Sequence, residues 1–320
     1  MDAKIATKPW ILGAVFIAAA AFVCLAAMAP EGKEVVRIGY QPLTVNLPLY
    51  IAVEKGYFES EGISVELVKF ETTNQVTDAL LTGKIDATGI VALHPLLAVE
   101  AQDPGKLKVF ALNQQTETKH IDAFIVRNDS VISGVEDLKG KKVGVFPGSS
   151  TRAIVEVILS KYMEPDEATI MELPTSSQLG ALESGQVDAL ITLEPVPTIA
   201  VSTGLARVVE DDPMGRHVVE DFALGAAAVS QKFLAERPGA AAKVAKAFGH
   251  GIDAMNADPS LRAVLTKYTS VDGTIAAKVG IGNVVRTADA NMSAVQALAD
   301  IYFEKGQLPK HVEVTGMLAR

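Results

Sequence analysis

Four short stretches of this 320-residue chain carry groups that could hold a small molecule. The first is "FPGSSTR", residues 146–152. Gly148 permits a tight turn, and Ser149, Ser150 and Thr151 bring hydroxyls to the free backbone N–H groups of a helix start. No acid stands between Phe146 and Val155. The positive end of that helix is therefore either open to an outside anion or closed by its own hydroxyls. Arg152 reaches the same anion or faces water. The second stretch is "QPLTVNLPLY", residues 41–50, where Asn46 either caps a helix or offers its amide to a ligand. Leu47, Tyr40 and Tyr50 there supply a ligand wall or core packing. The last two stretches are matching turns, His94-Pro95 and Glu194-Pro195. Glu194 either serves the helix start behind it or accepts from a ligand amine. His94 is a structural donor or a ligand group. No second His or Cys stands near it, so no metal site is expected, and no cofactor.

The elements that must position these turns follow from the periodicity. Strands alternating with short helices run from "VVRIGY" (35–40) to "KIDATGIV" (84–91), then restart at "KKVGVF" (141–146) and run to "QVDALIT" (186–192). Two stretches echo one another: "ALLTGKIDATG" (79–89) and "ALESGQVDALI" (181–191). In each a glycine ends a helix and a strand begins with Asp-Ala. This doubling implies two lobes of one plan, each a mostly parallel sheet flanked by helices, with ligand loops beyond the strand ends. The expected division is 34–125 with 220–320 for one lobe and 126–219 for the other, with crossings near 124–130 and 217–223. After a long strand at 220–230, helices are expected at 230–256, 258–268, 272–281 and 288–305, wrapping the first lobe.

Composition narrows the class. Apolar residues make up 49 % of the chain and charged residues 21 %, which suits a packed globular body. The net charge of −9 disfavours a nucleic-acid partner held through phosphates. Cys24 is the only cysteine, so an internal disulfide and a thiol nucleophile in the folded body are excluded. Trp10 is the only tryptophan, which disfavours a pocket built on tryptophan stacking and leaves Tyr40, Tyr50, Phe124 and Phe146 as candidate aromatic walls. Lys4 and Lys8 precede an uncharged run over 10–29, "WILGAVFIAAAAFVCLAAMA". Residues 1–29 read as a signal peptide or a membrane anchor: Ala27-Met28-Ala29 fits a cleavage site, Pro30 opposes cleavage, and the length is enough to span a bilayer.

The stretches "IGYQPLTVNLPLYIAVEKGYFESEGISVELVKF", "ALLTGKIDATG", "DLKGKKVGVFPGSST" and "ALESGQVDALITLEP" together resemble the sulfonate, nitrate and taurine substrate-binding family of ABC importers, which includes binders of thiamine pyrimidine precursors. The resemblance covers about residues 34–215 and, loosely, the helical tail. It implies an α/β, two-lobed periplasmic binding-protein fold that closes on its ligand like a hinge. By position it implies ligand contacts from Pro42, Asn46, Leu47, Val91, His94, Ser149, Ser150, Thr151 and Glu194. It also implies an ABC permease and an ATPase as membrane partners. The expected function is a non-enzymatic, monomeric, periplasmic receptor for a small anionic or zwitterionic organic molecule, with an acid group at the 149–151 turn and an amine at Glu194. The alternatives are a membrane-tethered sensor, and a pyrimidine-precursor binder or enzyme on the same fold.

Overall fold

The structure, a computed structural model, describes residues 34–319. The expected export segment, 1–29, lies outside the described residues. No helix among the described residues is long and apolar enough to cross a membrane.

The first half of the chain lays down β1 (Glu34–Tyr40), β2 (Ile63–Lys69), the two-residue strands β3 (Ala87–Thr88) and β4 (Val91–Ala92), and β5 (Leu107–Gln114). It continues with β6 (Asp122–Arg127), β7 (Lys142–Val145), β8 (Thr169–Glu172), β9 (Ala189–Leu193) and β10 (Ala206–Asp211), and returns through β11 (Ala223–Ser230) and β12 (Val284–Arg286). One sheet has the order β12-β5-β11-β3-β1-β2, with β4 also on β11; the other has the order β10-β6-β9-β7-β8. Both are mixed. The pairs β1–β3, β7–β8 and β7–β9 are parallel, as crossover helices require, while β5, β6, β10, β11 and β12 pair antiparallel. The antiparallel strands flank the two passages between sheets. The first passage lies between β5 and β6, earlier than the sequence suggests. Residues 122–125, read with the first lobe, pair with β9 and β10 because Ala123, Phe124, Ile125 and Val126 are buried between those strands.

The echoed stretches have a shared physical basis. The helices Thr73–Leu81 and Thr175–Glu183 are followed by Gly83 and Gly185, which turn at φ +71° and +72°. Only glycine adopts this left-handed turn freely. The aspartate three residues on then grips a strand of its own sheet, β1 in one and β7 in the other. The Arg37 N–H donates to Asp86 Oδ2 at 2.8 Å, and the Asp86 N–H donates to the Arg37 carbonyl at 2.9 Å. In the second sheet the Lys142 N–H donates to Asp188 Oδ2 at 2.8 Å, and the Asp188 N–H donates to the Lys142 carbonyl at 2.8 Å. Each aspartate thus caps a strand edge whose backbone groups would otherwise be left unpaired.

The tail covers the first sheet. The helix Pro238–Ala257 packs Phe248, Ile252 and Met255 into one apolar core with Leu49, Tyr50 and Phe58. Gly251 lies so close to the Pro48 carbonyl that a side chain would collide with it. The single helix expected at 230–256 is two, Gln231–Glu236 and Pro238–Ala257. Pro238 forces Arg237 out of helical geometry, to φ −138°. The helix expected at 272–281 is absent. Turns occupy that stretch, and the chain emerges through Gly282, at φ +69°, to place β12 on β5.

Candidate functional site

A cavity of about 90 Å³ lies between the two sheets. From the first sheet it receives Gln41 and Leu43, Val91 of β4, His94, Leu224 of β11, and Tyr302 from the helix Met292–Glu304. From the second it receives Phe146, Ser150, Thr151 and Ile154 at the start of the helix Ser149–Leu159, and Ile191 and Leu193 of β9. Met214 and Phe222 come from the return passage. The lining is mostly apolar and, among the described residues, includes no aspartate, glutamate, lysine or arginine. The volume suits a compact organic body rather than a large one.

Asn46 and Leu47, expected at the ligand, stand behind this wall. Leu47 is fully buried in the core, and Asn46 is wholly buried. The Asn46 amide donates to the Gln41 and Ile90 carbonyls, each at 3.0 Å, and its oxygen accepts from the Ile90 N–H at 2.6 Å. Gly89 makes room: a side chain there would strike Asn46. The asparagine therefore joins the 41–45 loop to the 90–94 turn, both of which face the cavity. Pro42, half-buried between Gln41 and Leu43, is not among the lining residues. Tyr50, stacked on Tyr268 at 4.4 Å, and Phe124 are core.

Val91, His94, Ser150 and Thr151 do line the cavity. His94 Nε2 lies 3.1 Å from the Gln307 carbonyl. A carbonyl only accepts, so Nε2 carries the proton. Burial holds the His94 pKa below its usual value, with the Gln307 contact opposing the shift, so the ring is neutral and Nδ1 keeps its lone pair. The His94 ring meets Tyr302 edge to face, centroids 4.8 Å apart. Tyr302 is 5 % exposed, and burial pushes its hydroxyl pKa upward, so it stays protonated. Among the described residues that hydroxyl has no hydrogen-bond partner, and neither do those of Ser150 and Thr151.

The helix start at Ser149 is less open than its sequence implies. Glu172 of β8, distant in sequence, accepts from the Gly148 N–H at 3.1 Å. It also meets Arg152 Nε at 3.5 Å, while Arg152 Nη2 donates to the Ile170 carbonyl at 3.2 Å. The missing local acid is replaced through the β7–β8 pairing, and Arg152 is engaged with it. Among the described side chains, the hydroxyls of Ser150 and Thr151 remain free at the cavity.

Glu194 is elsewhere. It faces a second cavity, of about 330 Å³, with Asp122, Asp211, His120, Lys278 and Gly280. Its carboxylate turns back on its own helix, Val196–Ser202, accepting from the Thr198 hydroxyl at 2.8 Å. Burial raises its pKa, opposed by hydrogen bonds from Thr198 and Gly280. Asp122 beside it is 1 % exposed and accepts from Gln115 Nε2 at 2.7 Å and the Met214 N–H at 2.9 Å. Burial nonetheless pushes its carboxyl up to about 6. Since Gln115 and Met214 belong to the two passages between sheets, Asp122 fastens those passages to each other.

Thr73, Met214, Phe222 and Tyr302 are lining residues that no local motif marks. Tyr302 sits in the run "ADIYFEKG", whose only sequence signal is an amphipathic helix.

Comparison with known proteins gives the same architecture a lineage. The family profile described as NMT1/THI5 like matches residues 44–261. A 4-amino-5-hydroxymethyl-2-methylpyrimidine phosphate synthase of Saccharomyces cerevisiae is 25 % identical over 171 residues, 53 % of this chain and 48 % of that protein. The chain thus spans about half the length of the synthases it matches. A Bacillus subtilis protein named for binding aliphatic sulfonates is 28 % identical over 222 residues, 68 % of this chain and 64 % of that one. In three dimensions the chain is similar to the periplasmic aliphatic sulphonate binding protein of Escherichia coli, with a TM-score of 0.73 and 19 % identity, covering 90 % of this chain and 93 % of that one. The fold is that of the periplasmic binding proteins, and the chain belongs to the NMT1/THI5-like family.

Proposed function

We propose that the protein is the solute receptor of an ABC importer, exported to the periplasm, that captures a small organic molecule between its two lobes by hinge closure. Residues 34–114 with 223–319 form one lobe and 122–211 the other. The observation that carries this reading is the apolar cavity walled by both sheets, with free hydroxyls of Ser150 and Thr151 on one side and His94 and Tyr302 on the other. Such a site is formed only when the lobes meet, so a ligand that fills it favours closure. The named binding function of the sulfonate-binding relatives supports the same reading, which in turn calls for a permease and an ATPase as partners.

The ligand has an apolar body and a polar head that meets the Ser150 and Thr151 hydroxyls. Glu194 faces the other cavity, and the lining offers no carboxylate to pair with an amine. A zwitterion with its amine on Glu194, as expected from sequence, is therefore set aside. Binding without turnover is proposed because, among the described residues, the cavity lining sets no carboxylate, amine or thiol beside His94.

The test is a thermal-shift screen of the purified protein against alkanesulfonates, carboxylates, amides, pyrimidines and nitrate. A ligand at about a hundred times its dissociation constant adds about 2.7 kcal/mol, a midpoint rise of a few degrees. A reversible shift without conversion is the expected result. Chemical conversion of the bound compound by pure protein overturns the receptor reading in favour of an enzyme.

A further inference from the structure

We propose that Tyr302 and His94 together form a neutral donor–acceptor subsite, which selects a ligand bearing an uncharged group that both accepts and donates a hydrogen bond, such as an amide or a lactam edge. The inference rests on the receptor reading above and deepens it.

Tyr302 is buried, lines the cavity, and has a hydroxyl without a protein partner. A hydroxyl at a cavity wall with no protein partner finds one in whatever fills the cavity. As a protonated phenol it donates. His94 supplies the complementary group. The Gln307 carbonyl fixes the proton on Nε2, which makes Nδ1 an acceptor. With ring centroids 4.8 Å apart, both groups are within reach of one compact molecule. Neither is charged, and no charged side chain among the described residues lines the cavity, so an ionised group at this end would be desolvated without a counter-charge. The hydroxyls of Ser150 and Thr151 leave the opposite end for a second polar group. An amide or lactam satisfies the Tyr302–His94 end completely; a sulfonate or carboxylate, which only accepts, leaves the His94 lone pair facing an anion.

The test titrates the purified protein with butyramide and 2-piperidone, which accept and donate, and with propane-1-sulfonate and butyrate, which only accept. Wild type, Tyr302→Phe and Ser150→Ala are compared by calorimetry. The expected result is that the two neutral probes bind wild type, and that Tyr302→Phe weakens them about tenfold or more while shifting the anions less than about twofold. On uniformly ¹⁵N-histidine-labelled protein, the neutral probes are expected to move the His94 Nδ1 resonance in the direction of an accepted hydrogen bond. Equal affinities of wild type and Tyr302→Phe for the neutral probes overturn the subsite and leave the receptor standing. The same holds if an anion binds wild type about tenfold more tightly than either neutral probe. If none of the four probes binds wild type, the inference fails together with the cavity as a receptor site for molecules of this size.

Discussion

Residues 79–95 and 181–195 begin alike and end apart. In both, a helix stops at a left-handed glycine and an aspartate clasps a parallel strand, β1 or β7, through the same two hydrogen bonds. Leu93 and Leu193 both reach the inter-sheet cavity. One residue later the turns diverge: His94 lines that cavity, while Glu194 bonds its own helix and faces the other one. Shared backbone pattern therefore fixes where a turn lies, and the partner chosen by the next side chain decides which space it serves. His94 finds Gln307 and Tyr302 on the first-sheet side, whereas Glu194 finds Thr198 four residues on, beside Gly280.

The two aspartate clasps also differ in depth, and this gives the largest expected effect. Asp86 is buried and pairs with Arg237 at 2.6 Å and with Arg37 at 3.6 Å as well as clasping the strand. Asp86→Ala should cost about 3–4 kcal/mol in denaturant unfolding, because it removes two hydrogen bonds to a charged carboxylate, one from the Arg37 N–H and one from Arg237. A cost below about 1 kcal/mol would mean that the ion pairs add nothing to the clasp.

Next in size is the pH dependence near the second turn, where Asp122 stands opposite Leu193 in the β6–β9 register. Its folded-state pKa of about 6 exceeds the ordinary 3.8, so the folded protein holds a proton that the unfolded chain releases. Between about pH 4 and 6, stability from this group falls as pH rises, by about 3 kcal/mol at most, and is level above. His94 runs the other way: its lowered pKa means that stability is lost as pH falls below about 6.5. The two are separated by taking the difference between wild type and Asp122→Asn across pH 4–7. A difference that does not change with pH in that range would show that Asp122 is ionised throughout.

Asp188→Ala is expected to cost only about 1 kcal/mol, the worth of one well-formed hydrogen bond at a more open position. Equal losses at Asp86 and Asp188 would erase the distinction between the clasps. The smallest effect sharpens the contrast between the turns. Glu194→Gln should leave the affinity for any cavity ligand within about twofold, since its side chain faces the other cavity. A large loss confined to an amine-bearing ligand would bring Glu194 back into the site.

Much of the fold was legible in local pattern. Gly83 and Gly185 mark helix ends, alternation marks the strands, and the echoed stretches announce two related sheets. The three-residue strand β12 was not legible, because "VVR" after a glycine-rich turn is too short to carry a period. The lining of the candidate cavity was legible only where it is built from loops that follow strands, as at Val91, His94, Ser150 and Thr151. Tyr302, Phe222 and Met214 reach the cavity from the return passage and the tail, through packing that no nearby residue encodes. Glu172 shows the same limit from the other side. Its carboxylate sits at the Gly148 N–H only because β8 pairs with β7, so a helix start that reads as acid-free is supplied with an acid by the sheet.

The Asn46 pin bears on the thermodynamics of capture. Its amide spans 44 residues of sequence to tie Gln41 to Ile90, and Gly89 gives it the space to do so. Two loops that would otherwise fluctuate separately are set in place when the chain folds. The loss of their conformational freedom thus falls on folding and not on association, and more of the contact energy between ligand and this wall remains as affinity. The Ile90 amide, closed off by that pin, should be among the slowest in the 89–94 turn to exchange its hydrogen with solvent, whether or not the cavity is filled.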